Sequence, residues 1–321
     1  MISLECNFSI NENRRLNIDD SKLTLFSENN IICEIVSREL MDTNQHKPIC
    51  ESLKLTIKCT GFNNEQEAYD YSKYIFFSLH YFGIKYNLRI NKDKKNFSLG
   101  TVLKTGVYPI VENDAIIIYD ESNKPLIMNM EMKAHQKLND DQKLLINSFP
   151  IVKITNSSIF RILSNSLELL NTTVSESNSS TRILTIIMAL EMLTSILSDD
   201  EKMKDLEQID IIENCIKYVK SSFPFKVYTN DLLSSIGKLK KESIKHKIVT
   251  LIKKAQQPKE ILGYSLEKFI SSCYGIRSSI THGGNILEND ILNAHSLNSV
   301  VQELNKITVN LIDYLVLTSE H

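Results

Sequence analysis

The spacing of hydrophobic and polar positions changes character near residue 150 of the chain. Before that point, short alternating runs bounded by polar clusters are typical of strands, whereas after Pro150 apolar residues recur every three or four positions, as in amphipathic helices. The pattern therefore predicts an α+β protein. We expect an N-terminal mixed α+β domain over residues 1–150, with a regulatory or targeting role, followed by an all-α helical bundle over residues 151–321.

The first half is predicted to run strand, helix, strand. Leu53, Leu55, Ile57 and Cys59 occupy every second position, which indicates a half-buried strand, and Gly61 is expected to break it. Apolar residues with helical spacing follow over 65–82. In all, strands are predicted over 23–26, 31–36, 53–59, 86–90, 115–119 and 126–132.

The second half predicts four main helices plus insertions. The segment 182–197 is so apolar that we expect it at the centre of a bundle, with Thr181 as its N-cap. The remaining helices are predicted over 156–170, 206–219, 232–239, 244–252, from Leu262 to beyond Cys273, and over 300–315.

Composition narrows the class of protein. With 321 residues, 42% hydrophobic, the chain can bury a sizeable core without disulfides or metal. Its net charge of -2 gives no general attraction to nucleic acid or anionic lipid, so such binding requires local patches. The six cysteines are scattered without a C-x-x-C pair, which favours small packing residues over a zinc site. Without a signal-like N-terminus or a continuous apolar run, we expect a cytoplasmic protein with no membrane partner. The histidines lack metal-ligand spacing, and the sequence contains neither a G-x-x-x-x-G-K nor a G-x-G-x-x-G motif, so we expect no metal and no cofactor.

The segment from Tyr274 to Gly284 concentrates the candidate chemistry. It places Arg277, Ser278 and His282 at the end of an apolar helix, where two glycines can accept a left-handed turn. Free carbonyls at a helix C-terminus attract cations. The guanidinium of Arg277 offers a planar fork to a phosphate. These residue types suit phosphodiester chemistry.

Metal-independent RNA cleavage needs a base for the 2'-hydroxyl, an acid for the leaving 5'-oxygen and a cation for the phosphate. One histidine cannot easily serve as both base and acid. A two-fold dimer would supply two copies of Arg277 and His282 to one cleft. Since residues i and i+5 lie about 140° apart on an ideal helix, both side chains of one chain share a cleft only if the helix unwinds near Thr281 to Gly284.

In these residues the chain resembles the HEPN superfamily, and within it the ApeA-like HEPN domains. The Arg-polar-x3-His motif corresponds to Arg277, Ser278 and His282, and the run from Met188 to Leu193 is similar to the A-L-E-x-L run of an upstream core helix in that family. The resemblance covers about the C-terminal half. It implies a HEPN-like bundle acting as a dimeric, metal-independent endoribonuclease in defence or as a toxin, with those three residues catalytic. The alternative is a non-catalytic module that binds RNA or a regulatory protein partner.

Further residues are assigned supporting roles. Glu191 is expected either to brace Arg277 or to face solvent, and Tyr274 is the second supporting residue. A lysine-rich run between 238 and 254 either tracks an RNA backbone or forms a solvated helix face. The candidate RNA-binding side chains are those of Lys238, Lys240, Lys241, Lys245 and Lys247. A second basic cluster over 85–95, which includes Lys94 and Lys95, is a weaker candidate for RNA binding.

Overall fold

A computed structural model gives the fold, and it describes residues 2–10, 16, 18–28, 30–43, 45–93, 111–113, 115–120, 152–223, 228–256, 258–286 and 289–319. The chain forms two compact units, Met1–Lys153 and Ile154–His321. The sequence had suggested a boundary between residues 150 and 151. Among the described residues, the first unit combines a sheet with the helix Glu65–Lys85, and the second is mainly helical with a two-stranded hairpin, so the protein is α+β.

The first unit contains an antiparallel sheet of seven strands in the order β2-β3-β4-β1-β7-β6, with β5 paired to β1. The central strand β1 pairs with β4 on one side and with both β7 and β5 on the other. The strands are β1 (Ile2–Ile10), β2 (Lys22–Glu28), β3 (Ile31–Ser37), β4 (Lys54–Phe62), β5 (Ile90–Lys92), β6 (Val111–Asn113) and β7 (Ile116–Asp120).

Helix α1 (Glu65–Lys85) packs on this sheet. It begins at Asn64, whose side chain accepts a hydrogen bond from the amide of Glu67. The apolar row of α1 packs with alternate residues of β1 and β4 in one hydrophobic core. Residues two positions apart contribute to it together because their side chains lie on the same face of a strand. Buried members of that core include Leu4, Cys6, Phe8, Leu55, Ile57, Ala68, Ile75 and Leu79.

Two predictions for the first unit are wrong. Gly61 does not end its strand: β4 continues to Phe62, and Gly61 lies at an irregularity in the pairing with β1. Its φ of 107° and the close backbone of Asn30, which a Cβ would meet at 1.9 Å, explain why glycine stands there. Residues 86–89 do not form a strand, since α1 extends to Lys85 and β5 starts only at Ile90. The strand predicted over 126–132 lies outside the described residues.

The second unit contains eight further helices among the described residues. Four of them have buried rows that pack together: α2 (Ser157–Thr173), α3 (Ser179–Leu193), α7 (Leu266–His282) and α9 (Leu297–Ser319). The other helices are α4 (Leu206–Ser222), α5 (Thr229–Lys238), α6 (Ile244–Lys254) and α8 (Asp290–Ala294), and a hairpin of β8 (Glu260–Ile261) and β9 (Tyr264–Ser265) precedes α7.

Helix α3 lies at the centre of this unit, in contact with α2, α6, α7 and α9. Ile183, Ile186 and Leu190 are at most 1% exposed. Within the described part of the chain, the stretch Ser179–Ile196 is the one helix long and apolar enough by composition to cross a bilayer. Its inner row, which includes Ile183, Ile186 and Leu190, packs against neighbouring helices.

Two helix starts differ from the predictions. Helix α3 begins at Ser179, and Asn178 rather than Thr181 caps it by accepting hydrogen bonds from two backbone amides. Helix α7 begins at Leu266 because residues 260–265 form the β8-β9 hairpin, in which Leu262 and Gly263 both take positive φ. The hydrophobic periodicity that started at Leu262 therefore spans a turn and a helix.

Candidate active site

Helix α7 carries the motif and is fixed along its length. Ser265 caps its start, and Phe269, Ile270, Cys273 and Ile276 bury its inner row. The helix ends at His282, and its C-cap Gly283 takes a left-handed φ of 70°. The amides of Gly283 and Gly284 both donate to the carbonyl of Ser279. The motif thus sits on the last two turns of a helix held by the core.

Glu191 joins α3 to α7 through Arg277 and Tyr274. The Tyr274 hydroxyl donates a 2.7 Å hydrogen bond to Oε1 of Glu191. The Arg277 guanidinium lies 3.8 Å from the same oxygen, at the distance of an ion pair without a hydrogen bond. Since the Arg277 side chain keeps 35% of its surface exposed, it can still receive a ligand from solvent.

The phenol of Tyr274 acts as a fixed hydrogen-bond donor. Burial, followed by the hydrogen bond to the Glu191 carboxylate, raises the pKa of Tyr274 well above its ordinary value, against a smaller opposing effect of Arg277. Tyr274 therefore stays protonated at all ordinary pH. It holds Glu191 in place and is not available as a base.

His282 and Ser278 are both exposed. Helix α7 runs without interruption from Leu266 to His282, so it does not unwind before the glycines. Arg277 and His282 of one chain consequently point about 140° apart around the axis. The structure brings Arg277, Tyr274 and Glu191 together, and it leaves His282 without a hydrogen bond or ion pair to any residue it describes.

Sequence reasoning missed two residues beside the site. Met188 precedes Glu191 by one helical turn on α3 and is 48% exposed, although its neighbours in the run are core residues. Asn289 donates to the carbonyl of Ser272 and packs so closely that a Cβ on Gly275 would lie 2.7 Å from its amide nitrogen. The exposed methionine inside an otherwise apolar helix gave no distinguishing signal, whereas Gly275 inside α7 was a possible sign of close packing.

The candidate RNA-binding lysines do not share one helix face. Lys238 ends α5, Lys240 and Lys241 lie in the following turn, and Lys245 and Lys247 belong to α6. Lys240 pairs with Glu213 at 2.9 Å, and Lys245 lies 3.4 Å from the Ser271 hydroxyl. In the same run, Lys253 pairs with Glu267 and Lys254 pairs with Glu201. Carboxylates thus pair with three of the seven lysines between 238 and 254, and of the five candidates Lys240 is the one with an ion pair in the described part of the chain. Lys94 and Lys95 of the second basic cluster lie outside the described residues.

Four of the six cysteines are buried, as expected of small packing residues. Cys6, Cys33, Cys59 and Cys273 are buried thiols, and burial raises the pKa of Cys273 to about 12. A thiol of that pKa is a poor nucleophile at neutral pH. Cys215, on α4, is exposed.

Comparison of the chain with protein-family models, with curated proteins and with solved structures found no match in any of the three.

Proposed function

We propose that the C-terminal unit is a metal-independent endoribonuclease of HEPN type, acting in the cytoplasm as a defence or toxin effector and regulated or targeted by the N-terminal unit. The observation that carries the proposal is the partly exposed guanidinium of Arg277, which pairs with Glu191 of α3. Arg277 lies on α7, the helix that ends with the exposed His282. Arg277 is charged at any usable pH, and its loose 3.8 Å pair leaves the planar fork able to grip a phosphate.

In the proposed reaction, a base removes the proton of an RNA 2'-hydroxyl, and the 2'-oxygen forms a bond to the adjacent phosphorus. The bond from phosphorus to the 5'-oxygen breaks, and an acid protonates that oxygen. The products are a 2',3'-cyclic phosphate and a 5'-hydroxyl. We assign the proton transfers to His282, the phosphate charge to Arg277 and a polar contact to Ser278.

The proposal requires a homodimer through the C-terminal bundle. Because α7 is regular through His282, the two side chains of one chain diverge, and a second copy is the simplest source of a histidine facing the first copy's arginine. The two imidazoles would then divide the base and acid roles.

The test is incubation of the purified full chain with total RNA or transfer RNA in EDTA. We expect fragments with 2',3'-cyclic phosphate ends. His282→Ala should abolish them and leave the free energy of unfolding within about 1 kcal/mol, because an exposed side chain contributes little to folding. His46→Ala, which changes another exposed histidine outside the lysine-rich run, is the matched control and should cleave normally. Cleavage by His282→Ala at the wild-type rate would dismiss the proposal.

The second candidate is a non-catalytic module that binds RNA or a regulatory protein. The divergence of Arg277 and His282 within one chain favours it, since a binding site needs the arginine alone. Its signature is RNA retention that weakens as salt rises, with no turnover, and with loss of binding in Arg277→Ala but not in His282→Ala.

A further inference from the structure

Two cysteines of the N-terminal sheet lie directly opposite each other. Cys33 of β3 and Cys59 of β4 are partners in the register of these two antiparallel strands. The Cys59 thiol donates a hydrogen bond to the sulfur of Cys33, and the two sulfur atoms are 3.0 Å apart. Because opposite residues point to the same face of a sheet, the two thiols meet on one face.

The backbone geometry of this pair suits a disulfide. Opposite residues of antiparallel strands have Cα atoms about 4.5–5.5 Å apart, and disulfides span Cα separations of about 4.4–6.8 Å. Sulfur atoms in a disulfide are about 2.05 Å apart, so the two sulfurs must approach by about 1 Å from their present 3.0 Å. Rotation of the two side chains supplies a movement of this size while the strands keep their register.

Both sulfurs are shielded while the sheet is closed. Cys33 and Cys59 are each 0% exposed. Burial, followed by the hydrogen bond to Cys33, raises the pKa of Cys59 well above its ordinary value, so the reactive thiolate of Cys59 is scarce at neutral pH. An oxidant in solution therefore reaches the pair only when the sheet opens locally.

The side of the sheet formed by β2 and β3 is the part best suited to open. Within the described part of the chain, β2 is an edge strand and pairs with β3 alone. The strands that helix α1 contacts most are β1, β4, β5 and β7, so β3 is held more by its pairing with β4 than by the helix. Elements with few tertiary contacts open at the lowest free energy. Separation of β3 from β4 exposes the Cys33 thiol.

We propose that Cys33 and Cys59 are an oxidation site, at which a peroxide forms a cross-strand disulfide that locks β3 to β4. The site is independent of the proposed nuclease function. It lies in the N-terminal unit, and its chemistry needs two thiols and a peroxide alone.

The reaction takes place in two steps. In the open sheet, the Cys33 thiolate attacks one oxygen of hydrogen peroxide, the O–O bond breaks, and the sulfur is oxidised to a sulfenic acid while the other oxygen leaves as water. When β3 pairs with β4 again, the Cys59 sulfur attacks the sulfenic sulfur. The S–O bond breaks, an S–S bond forms and a second water leaves. Two thiols thus lose two hydrogen atoms, and one peroxide becomes two waters.

The register selects this pair over the third buried thiol of the sheet. Cys6 of β1 lies opposite Ile57, and the residue of β1 opposite Cys59 is Leu4. Cys6 is therefore a diagonal neighbour of Cys59, at a Cα separation of about 7–8 Å that is too long for a disulfide without backbone movement. The described residues contain no group of three or more His, Cys, Asp or Glu side chains placed to hold a metal ion, so the three thiols do not form a metal site there.

Peptide mapping of the full chain after treatment with hydrogen peroxide tests the proposal. The reaction is carried out in urea below the unfolding transition, until the exposed Cys215 is fully modified. Free thiols are then alkylated, and trypsin, which cleaves after Arg38 and Lys58, places Cys33 and Cys59 on different peptides. We expect these two peptides to be joined, with the loss of two hydrogen atoms, and to separate again in dithiothreitol.

Two controls distinguish local opening from unfolding and from a different pairing. Cys273 of α7 is also buried, at 1% exposure, and should keep its free thiol while the pair becomes joined. Cys6→Ala removes the third thiol of the sheet and should leave the joined peptides unchanged, whereas Cys33→Ala and Cys59→Ala should each abolish them.

Hydrogen exchange measures the lock itself. In the oxidised chain the β3 amides should exchange about tenfold more slowly or less than in the reduced chain, because the disulfide holds β3 beside β4. Peptides that remain separate once Cys215 is modified would overturn the proposal. A disulfide that includes Cys6, oxidation of Cys273 at the rate of the pair, or unchanged exchange in β3 would each do the same.

Discussion

The core of the helical unit and the α4-α5 hairpin both consist of amphipathic helices, yet they bury very different shares of their apolar residues. In α3 and α7 the apolar rows are almost fully buried, as Leu190 and Phe269 illustrate. In the hairpin, Tyr218 and Tyr228 remain mostly exposed. The hairpin therefore leaves apolar surface in contact with solvent, whereas the core helices bury theirs.

The comparison also separates two kinds of surface. Arg277 depends on the core, because Tyr274 and Glu191 can meet only if α3 and α7 pack as they do. The exposed apolar rows of the hairpin depend on local helix geometry and on little else. Substitutions in the core should therefore affect both stability and the site, whereas substitutions of the exposed hairpin residues should affect neither.

The largest expected difference between the two regions is in stability. Phe269→Ala removes a ring with 0% exposure from α7 and should lower the free energy of unfolding of the helical unit by about 3–5 kcal/mol. Tyr218→Ala, on the exposed row of α4, should change it by less than about 1 kcal/mol. Urea unfolding followed by circular dichroism measures both. Equal losses would show that the hairpin is part of the core.

Alanine substitutions at two glycines should change the free energy of unfolding by smaller amounts and with opposite signs. Gly283→Ala places a Cβ on the left-handed end of α7 and should cost about 1 kcal/mol. Gly237→Ala lies within α5, where a Cβ would meet no atom within 4 Å, and should stabilise by about 0.5–1 kcal/mol. Thermal denaturation of the two variants decides the signs. Destabilisation by Gly237→Ala would mean that α5 packs more closely than the structure shows.

The smallest effect concerns an ion pair between α6 and the turn before α4. Hydrogen bonds from Lys254 and from Ser198 lower the pKa of Glu201 from 4.5 to about 2. Because the folded pKa is the lower one, the pair stabilises above about pH 4.5, and the contribution is lost as the pH falls towards 2. Lys254→Ala should return this pKa towards 4.5 and cost less than about 1 kcal/mol at neutral pH.

Titration of the Glu201 carboxyl by NMR checks this shift. Lys241→Ala serves as the control, since the described residues show no ion pair for Lys241, and it should leave the Glu201 pKa where it is. An unchanged pKa of Glu201 in Lys254→Ala would contradict the assignment.

Local pattern was sufficient for most helices and for several strands. The row from Ile183 to Leu190 predicted a central helix, and the alternation from Leu53 to Cys59 predicted a strand, because a buried stripe or face leaves its period in the sequence.

The central strand β1 was not predicted, although the same alternation occurs in it at Leu4, Cys6, Phe8 and Ile10. Its other face buries Ser3 and Asn7, and Asn7 accepts a 2.5 Å hydrogen bond from Thr56. A strand with buried polar residues on one face is therefore difficult to recognise from hydrophobic residues alone.

In the candidate site too, some features could be predicted from the sequence and others depend on tertiary packing. The sequence by itself determined that Arg277, Ser278 and His282 lie at the end of a glycine-terminated helix, since helix period and capping depend on near neighbours in the chain. It also determined the apolar rows of α4. Only the tertiary structure decided that Glu191 meets Tyr274 and Arg277 across 83 and 86 positions, that Gly61 serves a close backbone approach, and that the hairpin rows stay uncovered. Such contacts depend on which helices and strands pack together, and no local spacing encodes that choice.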